Sequence, residues 1–403
     1  MWKLVLIALT VTAAWASDWP DFRGPARDGT SDEAVAEFPE DGPERLWERP
    51  VGAGFANPVA ANGRVLIFHR QGAEEVVEAL DATSGETIWK SAYETNYRDS
   101  FGFDPGPRAS PVVAGGQVYT FGAEGTLGCR RFADGAVIWQ IDAHEQFGVE
   151  QNWFGAGATP LVEGSRLLLN VGGTDGAGIV AFDRDTGKVL WKATDHGASY
   201  ASAIMADLAG ERLAVFFTRE GLVLLDPADG RVVYERRWRA RSNASVNAAT
   251  PIVAENTIFL SSSYGVGALA LDFSASLEPR ELWSGEDSLT NHYSTAVLHN
   301  GVLYGYHGRQ EHGQSLRAIE LRTGKVLWEE RGFGAGSVTL AAGRLLLLRE
   351  EGELVLAETS RERFHPISRA QVFSGETRAY PAPANGVLYA RDETTLAALK
   401  IGP

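Results

Sequence analysis

The feature that most constrains the fold is a repeated unit that recurs along most of the chain. Each copy starts with a small residue and an apolar strand, continues through an Ala-Leu-Asp-like segment and a Thr-Gly turn, and ends on an apolar pair followed by Trp. Three copies are nearly complete, at Asn57–Lys90, Ala158–Lys192 and Ser294–Glu329. Self-similarity at a regular spacing indicates that each copy is one supersecondary unit packed against the next.

The aromatic residues that close the units are spaced like the blades of a β-propeller. Neighbouring closing positions are 42 to 52 residues apart, and a period in the forties with four short strands is typical of a blade. We expect each large flat ring to pack against the neighbouring blade rather than to stack on a ligand. The closing positions are Trp47, Trp89, Trp139, Trp191, Tyr234, Trp283, Trp328 and Phe373.

Local patterns favour strands over helices throughout the repeat. The apolar runs are short and are bounded by Gly, Asn and Asp, which is typical of strands joined by tight turns. In the turn Asp183–Gly187, the aspartate can accept hydrogen bonds from the turn and the glycine can take the left-handed conformation. The turn and the Trp that follows it therefore predict the outer hairpin of a blade.

The blade count predicts that both ends of the chain close one ring. The last segment, Pro381–Lys400, has three strands at most, whereas Glu44–Glu48 is a closing strand with nothing before it. We therefore predict an all-β, eight-bladed β-propeller of four-stranded antiparallel blades, closed by an N-terminal strand that completes the last blade. In that blade, Leu46 and Trp47 should pair beside Thr395–Leu399.

The beginning of the chain predicts an exported protein. Residues 1–16 contain a lysine, an apolar core and an Ala-Trp-Ala site, which is typical of a signal peptide; a buried first strand is the alternative. We expect residues 17–43 to run along the outside as an extended lead-in and residues 44–403 to form a single propeller. No cysteine follows the apolar core, so we expect no lipid anchor, and the short apolar run is not a transmembrane segment.

Charge and cysteine content exclude several function classes. The formal net charge of −15 argues against binding to nucleic acid or to anionic lipid, both of which need a basic face. Cys129 is the only cysteine, so no internal disulfide can form. These properties predict a monomeric protein of the periplasm, or a secreted one, whose partner is a protein or peptide.

The blade motifs resemble those of the PQQ-like (pyrroloquinoline quinone repeat) β-propeller superfamily over essentially residues 44–400. The segments that carry the resemblance are ALDATSGETIW and AFDRDTGKVLW. The lead-in DWPDFRGPARDGTS, Asp18–Ser31, is similar to the start of many exported bacterial proteins of this group, including relatives of the propeller lipoprotein of the outer-membrane β-barrel assembly machinery. The resemblance is specific for the fold and not for the function, because this fold is a platform for many functions.

The resemblance also implies a possible enzyme. Quinoprotein alcohol and glucose dehydrogenases of the superfamily add a calcium-bound quinone, a catalytic aspartate and often a vicinal cysteine pair, which a chain with one cysteine cannot form. Asp99, Asp104 and Asp175 lie in loops, where aspartate is usually a turn residue. The segment His307–His312 fits no standard zinc motif. We therefore expect no catalytic residue, no metal and no cofactor, with PQQ and calcium as the alternative.

A binding site is expected at the mouth of the central channel, where loops enter the innermost strands. The loops 93–108 and 151–154 combine aromatic residues with arginine, a composition typical of interface anchors. Composition leaves open whether these residues bind a partner or fill the channel. The candidate face residues are Tyr97, Arg98, Phe101, Phe103, Arg108, Trp153, Phe154, Tyr200, Asn247, His292, Tyr293 and Tyr380.

The sequence therefore predicts a non-enzymatic exported scaffold that binds a protein or peptide on this loop face. The alternative is a PQQ/calcium-dependent dehydrogenase-like protein, or a binder of a small polar ligand in the central channel. The alternative predicts that added PQQ with calcium raises the melting temperature, because a ligand selective for the folded state stabilises it.

Overall fold

The computed structural model describes residues 17–149, 155–242 and 247–403. The predicted signal peptide, residues 1–16, and the candidate residues Trp153 and Phe154 lie outside this range. Within it, the chain forms eight antiparallel four-stranded sheets, one of which carries an additional parallel strand. The sheets are the blades of a β-propeller, so the predicted fold class is confirmed.

Two strands precede the first complete blade, β1 (Thr30–Ser31) and β2 (Arg45–Pro50). Each blade then runs from its innermost to its outermost strand in sequence order. Blades 1 to 4 consist of β3 (Val59–Ala61), β4 (Arg64–Gln71), β5 (Glu74–Asp81) and β6 (Thr87–Glu94); β7 (Val112–Ala114), β8 (Gln117–Phe121), β9 (Thr126–Arg131) and β10 (Val137–Asp142); β11 (Leu161–Glu163), β12 (Arg166–Asn170), β13 (Ile179–Asp183) and β14 (Val189–Ala193); and β15 (Ile204–Leu208), β16 (Glu211–Phe217), β17 (Gly221–Leu225) and β18 (Val232–Arg237).

Blades 5 to 8 follow the same plan, and the last blade takes β2 as its outermost strand. They consist of β19 (Ile252–Ala254), β20 (Thr257–Ser262), β21 (Gly267–Asp272) and β22 (Arg280–Gly285); β23 (Val297–His299), β24 (Val302–His307), β25 (Ser315–Glu320) and β26 (Val326–Glu330); β27 (Gly336–Ala341), β28 (Arg344–Arg349), β29 (Glu353–Glu358) and β30 (Pro366–Gln371); and β31 (Ala382–Ala384), β32 (Val387–Arg391) and β33 (Thr395–Lys400). One short helix, α1 (Ala143–Phe147), and a 3₁₀ turn, Gln310–His312, lie in connections. Among the described residues, no helix is long and apolar enough to cross a membrane.

The middle strands of the blades are the apolar runs of the repeat. In blade 3, Leu167–Leu169 of β12 and Val180–Phe182 of β13 are fully or almost fully buried, whereas Leu190 of the outer strand β14 is 48% exposed. A middle strand has a neighbouring blade on both faces, so its side chains are apolar in succession rather than alternately. The core therefore lies between the blades.

In five blades, the glycine turn before the closing aromatic residue forms a seat for the tryptophan of the preceding blade. In blade 3, the Asp183 carboxylate accepts from the Thr186 amide at 2.9 Å, and Gly187 has a φ of 71°. A Cβ atom on Gly187 would lie only 2.8 Å from the ring of Trp139. Glycine is therefore needed at this position both for the backbone conformation and for the closeness of the ring.

Six tryptophans fix this packing with a hydrogen bond to the next blade. Each indole Nε1 donates to a backbone carbonyl near the third-strand turn of that blade, at 2.7–3.2 Å. Tyr234 makes an edge contact with Phe273 of the next blade, with ring centroids 5.5 Å apart. The six tryptophans are Trp47, Trp89, Trp139, Trp191, Trp283 and Trp328.

The prediction that Phe373 closes blade 7 is wrong. The strand register places Ser368, opposite Leu356, where the other blades have their aromatic ring. Phe373 lies beyond the end of β30 and is buried. The amide of Phe38, from the lead-in, donates to Ser368 Oγ at 3.4 Å, and the Phe38 ring is buried in the same cluster as Ala370. The lead-in therefore covers a position that the blade itself leaves without a ring.

The predicted closure of the ring by both chain ends is confirmed. Strand β2 pairs antiparallel with β33, with Trp47 opposite Ala398 and Pro50 opposite Thr395. Leu46 occupies the irregular step in the register between Arg45 and Trp47. With β2 in place, the last blade is complete and packs on the first. The ring therefore has no open end of the kind that a linear array of blades would have.

The prediction that residues 17–43 run along the outside is wrong for residues 19–31, which occupy the central channel. Trp19 is 2% exposed and pairs with Ala60 of blade 1. Strand β1 then adds to β27, the innermost strand of blade 7. Between them, Arg23 is 1% exposed and donates to the Ala296 carbonyl of blade 6 at 2.6 Å.

Arg27 anchors the same segment on the opposite side of the channel. It is 4% exposed, and it donates to the carbonyls of Pro160 and Ala203, each at 2.7 Å, in blades 3 and 4. Its ion pair with Asp21 has an N–O distance of 3.0 Å. Inner strands leave carbonyl groups facing the channel, and a guanidinium with five donors satisfies several of them at once. Residues 19–31 are thus an internal plug of the propeller.

Candidate functional site at the channel mouth

A ring of hydrogen bonds encircles the channel where the innermost strands begin. At each step a backbone amide of one blade donates to a side-chain oxygen of a following blade, which couples the blades at the mouth. The six longer bonds have donor–acceptor distances of 2.8–3.3 Å. The steps are Asn57 to Ser110, Ser110 to Thr159, Thr159 to Ser202, Ser202 to Thr250, Thr250 to Thr295, Thr295 to Tyr380 and Tyr380 to Asn57.

Blade 7 is bypassed by this ring. The hydroxyl of Tyr380, in blade 8, reaches to the amide of Thr295 in blade 6. Ser337 occupies the equivalent position of blade 7, and its buried hydroxyl has no hydrogen-bond partner among the described residues. The polar residues at the strand entries therefore hold the mouth together, and several of them are unavailable to a ligand.

A pocket of about 240 Å³ opens at the mouth above this ring. Its walls are mainly aromatic, and its floor includes Phe22 of the plug, which makes an edge contact with Tyr380 at 5.7 Å between ring centroids. Because the plug lies below it, the pocket is blind rather than a continuous channel. The lining residues are Phe22, Phe55, Asn57, Asp99, Phe103, Arg108, Gly157, Tyr200, Ser202, Ala248, Tyr264, His292, Tyr293, Gln310, Glu311, Arg378 and Tyr380.

Two arginines flank the ring of Phe55 on one side of the pocket. The guanidinium carbons of Arg108 and Arg378 lie 5.8 Å and 5.2 Å from its centroid. Arg108 is paired with Asp99 at 2.6 Å, and Arg378 is paired with Glu350 at 3.2 Å. Cation–π contacts and ion pairs together hold both arginines in place.

The opposite side of the pocket is built by a histidine in a fixed tautomer. His292 Nδ1 faces the Gln310 side-chain oxygen, which can only accept, so Nδ1 carries the proton. His292 Nε2 then accepts from the Tyr264 hydroxyl at 2.7 Å. Burial lowers the pKa of His292, so the imidazole is neutral near pH 7.

Tyr293 and Glu350 form a buried pair next to Arg378. The Tyr293 hydroxyl donates to the Glu350 carboxylate. Burial raises the pKa of Tyr293 well above its ordinary range, and the neighbouring carboxylate raises it further. Burial also raises the pKa of Glu350, although the hydrogen bond from Tyr293 and the charge of Arg378 each lower it. The pair belongs to the pocket wall, because Tyr293 lines the pocket and its hydroxyl is bound to Glu350.

The loop 96–108 borders the pocket and carries two exposed phenylalanines. Phe101 and Phe103 are 49% and 58% exposed, and their ring centroids lie 6.5 Å apart. The loop is held from below, since Arg70 donates to the Tyr97 carbonyl at 2.6 Å and Asp104 accepts from the Gly54 amide at 3.1 Å. Exposed aromatic residues on a fixed loop form a surface suited to a partner.

Six of the predicted face residues line the pocket: Phe103, Arg108, Tyr200, His292, Tyr293 and Tyr380. Phe101 lies on the exposed rim, and Arg98 lies in the same loop. Tyr97 and Asn247 are 1% and 2% exposed and do not line the pocket. Tyr97 packs under Arg108, with the guanidinium carbon 5.0 Å from its ring centroid, and Asn247 donates to the Thr218 carbonyl at 2.8 Å.

Sequence reasoning missed several lining residues. Phe22 belongs to the plug, and no repeat pattern relates it to the mouth. Tyr264 and Glu311 come from hairpin turns between the second and third strands of blades 5 and 6. These turns lie on the same end of the ring as the strand entries, so counting strands would have placed them at the mouth.

The donor set at the mouth does not fit a calcium-held quinone. Calcium takes six to eight oxygen ligands, but Asp99 and Glu350 are already paired with arginines. Within the described ranges, no three His, Cys, Asp or Glu side chains converge as metal ligands.

Fold and site together define the class of this molecule: an eight-bladed propeller with an aromatic blind pocket at its mouth and a plugged channel below. The family described as "Outer membrane protein assembly factor BamB" matches residues 73–311, more than half of the chain. The chain belongs to this family. The outer membrane protein assembly factor BamB of Shewanella oneidensis is 22% identical over 306 residues, which cover 71% of this chain and 70% of that protein.

Solved structures share the fold at low sequence identity. The computationally designed protein Ika8 is 12% identical with a TM-score of 0.61, and the match covers 89% of this chain and 100% of that chain. The quinohemoprotein alcohol dehydrogenase of Comamonas testosteroni is 14% identical with a TM-score of 0.52, covering 96% of this chain and 81% of that chain. A designed protein and an enzyme on one scaffold show that the fold alone does not decide the function.

Proposed function

We propose that this chain is an exported, non-enzymatic propeller scaffold that binds a protein or peptide partner at the channel mouth. The observation that carries the proposal is the exposed pair Phe101 and Phe103 beside the blind aromatic pocket. The exposed apolar area of these two side chains costs free energy that a partner would recover by covering it. Aromatic residues and arginines clustered on one rigid face are the usual anchors of protein interfaces.

Family membership supports a role in assembly rather than in catalysis. The description of the family and the name of the S. oneidensis relative both refer to an outer membrane protein assembly factor. By extension, we propose that the chain works in the periplasm as a monomer and that its partner is a protein handled at the outer membrane. The quinone-dependent alternative has less support, since the carboxylates near the mouth are already paired.

The experiment is photo-crosslinking from position 100, an exposed residue of the same loop, in intact cells of the native host. A discrete adduct should form, and the double variant Phe101→Ser/Phe103→Ser should lose partner capture while its far-UV and near-UV circular dichroism stay unchanged. The matched control is Val137→Ser/Ile138→Ser, which removes two exposed apolar residues from the outer strand of blade 2, at 54% and 44% exposure. Equal capture by both double variants would contradict the proposal.

A further inference from the structure

The floor of the mouth pocket contains a hydrogen-bond donor with no partner. The Asn57 side-chain oxygen accepts from the Tyr380 amide at 2.8 Å. That contact fixes the orientation of the amide group, because an N–H can donate only to the oxygen. The other atom, Nδ2, is buried and has no hydrogen-bond partner among the described residues, although Asn57 lines the pocket. A buried donor of this kind costs about 1–3 kcal/mol unless an acceptor reaches it.

The charges lining the pocket balance one another. Among the described lining residues, Arg108 and Arg378 are opposed by Asp99 and Glu311. A carboxylate ligand would compete with Asp99, which lies 2.6 Å from Arg108, and a cation would compete with Arg309, which lies 2.8 Å from Glu311. The neutral His292 adds no charge. The pocket therefore favours an uncharged ligand.

The size and the walls of the pocket limit that ligand to one small ring with a polar group. An apolar cavity of about 150 Å³ can hold a benzene molecule, so the mouth pocket of about 240 Å³ has room for a ring and a short amide. Phe22, Tyr200 and Tyr264 supply aromatic faces and edges. Aromatic pairs in offset or edge contact gain free energy beyond the area that they bury.

We propose that the mouth pocket binds one neutral aromatic residue of a partner polypeptide, with a backbone carbonyl oxygen of that residue accepting from Asn57 Nδ2. This inference rests on the proposed function and names the chemistry of its central contact. The exposed Phe101 and Phe103 hold the flanking part of the partner, and the pocket takes the anchor residue. The plug makes this possible, since Phe22 closes the channel and gives the pocket a floor.

The test measures binding of three small probes to the full mature chain by isothermal titration calorimetry or ligand-observed NMR. N-acetyl-phenylalaninamide is neutral, N-acetyl-phenylalanine is an anion, and phenethylamine is a cation. The neutral amide should bind at least tenfold more tightly than either charged probe. Absence of saturable binding by the amide, or equal binding of all three probes, would overturn the inference.

The variant Asn57→Asp keeps an oxygen for the Tyr380 amide and removes the buried donor. It should weaken binding of the neutral amide at least tenfold and strengthen binding of phenethylamine. The matched control is Asn62→Asp, which makes the same charge change at the far end of the same inner strand, on an exposed turn, and should leave all three affinities unchanged. Equal affinities for Asn57→Asp and the unaltered chain would show that Nδ2 does not contact the ligand.

The two proposals can fail separately. If crosslinking from position 100 captures a partner that Phe101→Ser/Phe103→Ser loses, but the amide probe does not bind, the scaffold function stands and the pocket inference is wrong. If the amide binds and depends on Asn57 while no partner is captured, the pocket has the proposed chemistry and the scaffold function is wrong.

Discussion

The indole Nε1 of Trp47 donates a hydrogen bond of 3.0 Å to the carbonyl oxygen of Ala82, and this bond joins the last blade of the ring to the first. Trp47 belongs to β2, which pairs with β33 from the other end of the chain. Trp47 therefore takes part in two contacts that close the ring. Its strand pairs within blade 8, and its side chain packs blade 8 on blade 1. The same tryptophan contact recurs at five other interfaces, so closure uses the ordinary contact between blades.

We expect Trp47→Ala to destabilise the propeller by about 2 kcal/mol, less than for a fully buried ring because Trp47 is half-buried. Urea unfolding followed by fluorescence and circular dichroism measures the loss. The control is Leu46→Ala, one residue away and 43% exposed, which should change stability by no more than about 0.5 kcal/mol. Equal losses for the two variants would show that the Trp47 contact does not stabilise the closure.

The close contact between Gly187 and the Trp139 ring gives a second prediction. Its control is a glycine with a similar backbone conformation. Gly187→Ala should cost about 3 kcal/mol, because the φ of 71° is unfavourable and the new Cβ would lie 2.8 Å from the Trp139 ring. Gly164→Ala has a φ of 58° with no atom within 4 Å of the new Cβ, and should cost about 1 kcal/mol. Equal costs in urea unfolding would mean that the contact with Trp139 adds nothing.

The repeat predicted the blades because each blade repeats the same local chemistry. The Thr-Gly turn, the closing Trp and the apolar middle strands all act within one unit or between neighbours, so they leave a periodic pattern. Closure was predictable for the same reason, since Glu44–Glu48 matches an outer strand that has no blade. Phe373 was misassigned because blade 7 lacks the pattern, and register rather than spacing identifies Ser368.

The plug and the floor of the pocket could not be predicted from the repeat. Arg23 and Arg27 bind backbone carbonyls of distant blades, and carbonyl groups carry no sequence signal. From composition alone, a segment rich in Gly, Pro and Asp is predicted to be an exposed lead-in. Asn57 was visible at a strand entry, but its unpaired Nδ2 depends on the three-dimensional contact with Tyr380.

The quinone alternative is tested by thermal unfolding with PQQ and calcium together. A ligand that binds only the folded state must raise the melting temperature. We expect no increase at saturating PQQ and calcium, because the carboxylates of Asp99 and Glu350 are paired with arginines. The control is a quinoprotein dehydrogenase titrated under the same conditions. A saturable increase in this chain would favour the quinone-binding alternative.

The folded chain should become less stable as the pH falls, because it contains a buried histidine. His69 is fully buried, and its Nδ1 accepts from the Gly52 amide at 3.0 Å. Burial lowers the pKa of His69 from 6.5 to about 4. The charge of Glu78 raises this pKa, and the nearby cations lower it further. The charged groups that influence it are Glu78, Arg391, Lys90 and Arg49.

The sign follows from proton uptake. Between pH 6.5 and about 4 the unfolded chain binds a proton at His69 and the folded chain does not, so stability falls as the pH falls. The loss from this group should reach about 3 kcal/mol at pH 4. His69→Asn keeps an acceptor for the Gly52 amide and should flatten this part of the stability curve, whereas the exposed His312→Asn should not. Parallel curves for His69→Asn and the unaltered chain would contradict the assignment.

The final prediction concerns the plug. Arg27→Ala removes a buried guanidinium that donates to the carbonyls of Pro160 and Ala203 and pairs with Asp21. Because it removes the counter-ion of the Asp21 carboxylate and the donor to those carbonyls, it should cost about 3–5 kcal/mol in urea unfolding. The control Asp32→Ala changes an exposed charge just beyond the plug and should stay within about 0.5 kcal/mol. Loss of the plug should also open the floor of the mouth pocket, so Arg27→Ala should bind N-acetyl-phenylalaninamide more weakly under conditions where it is still folded. A variant with full stability would show that residues 19–31 lie in the channel without holding the blades together.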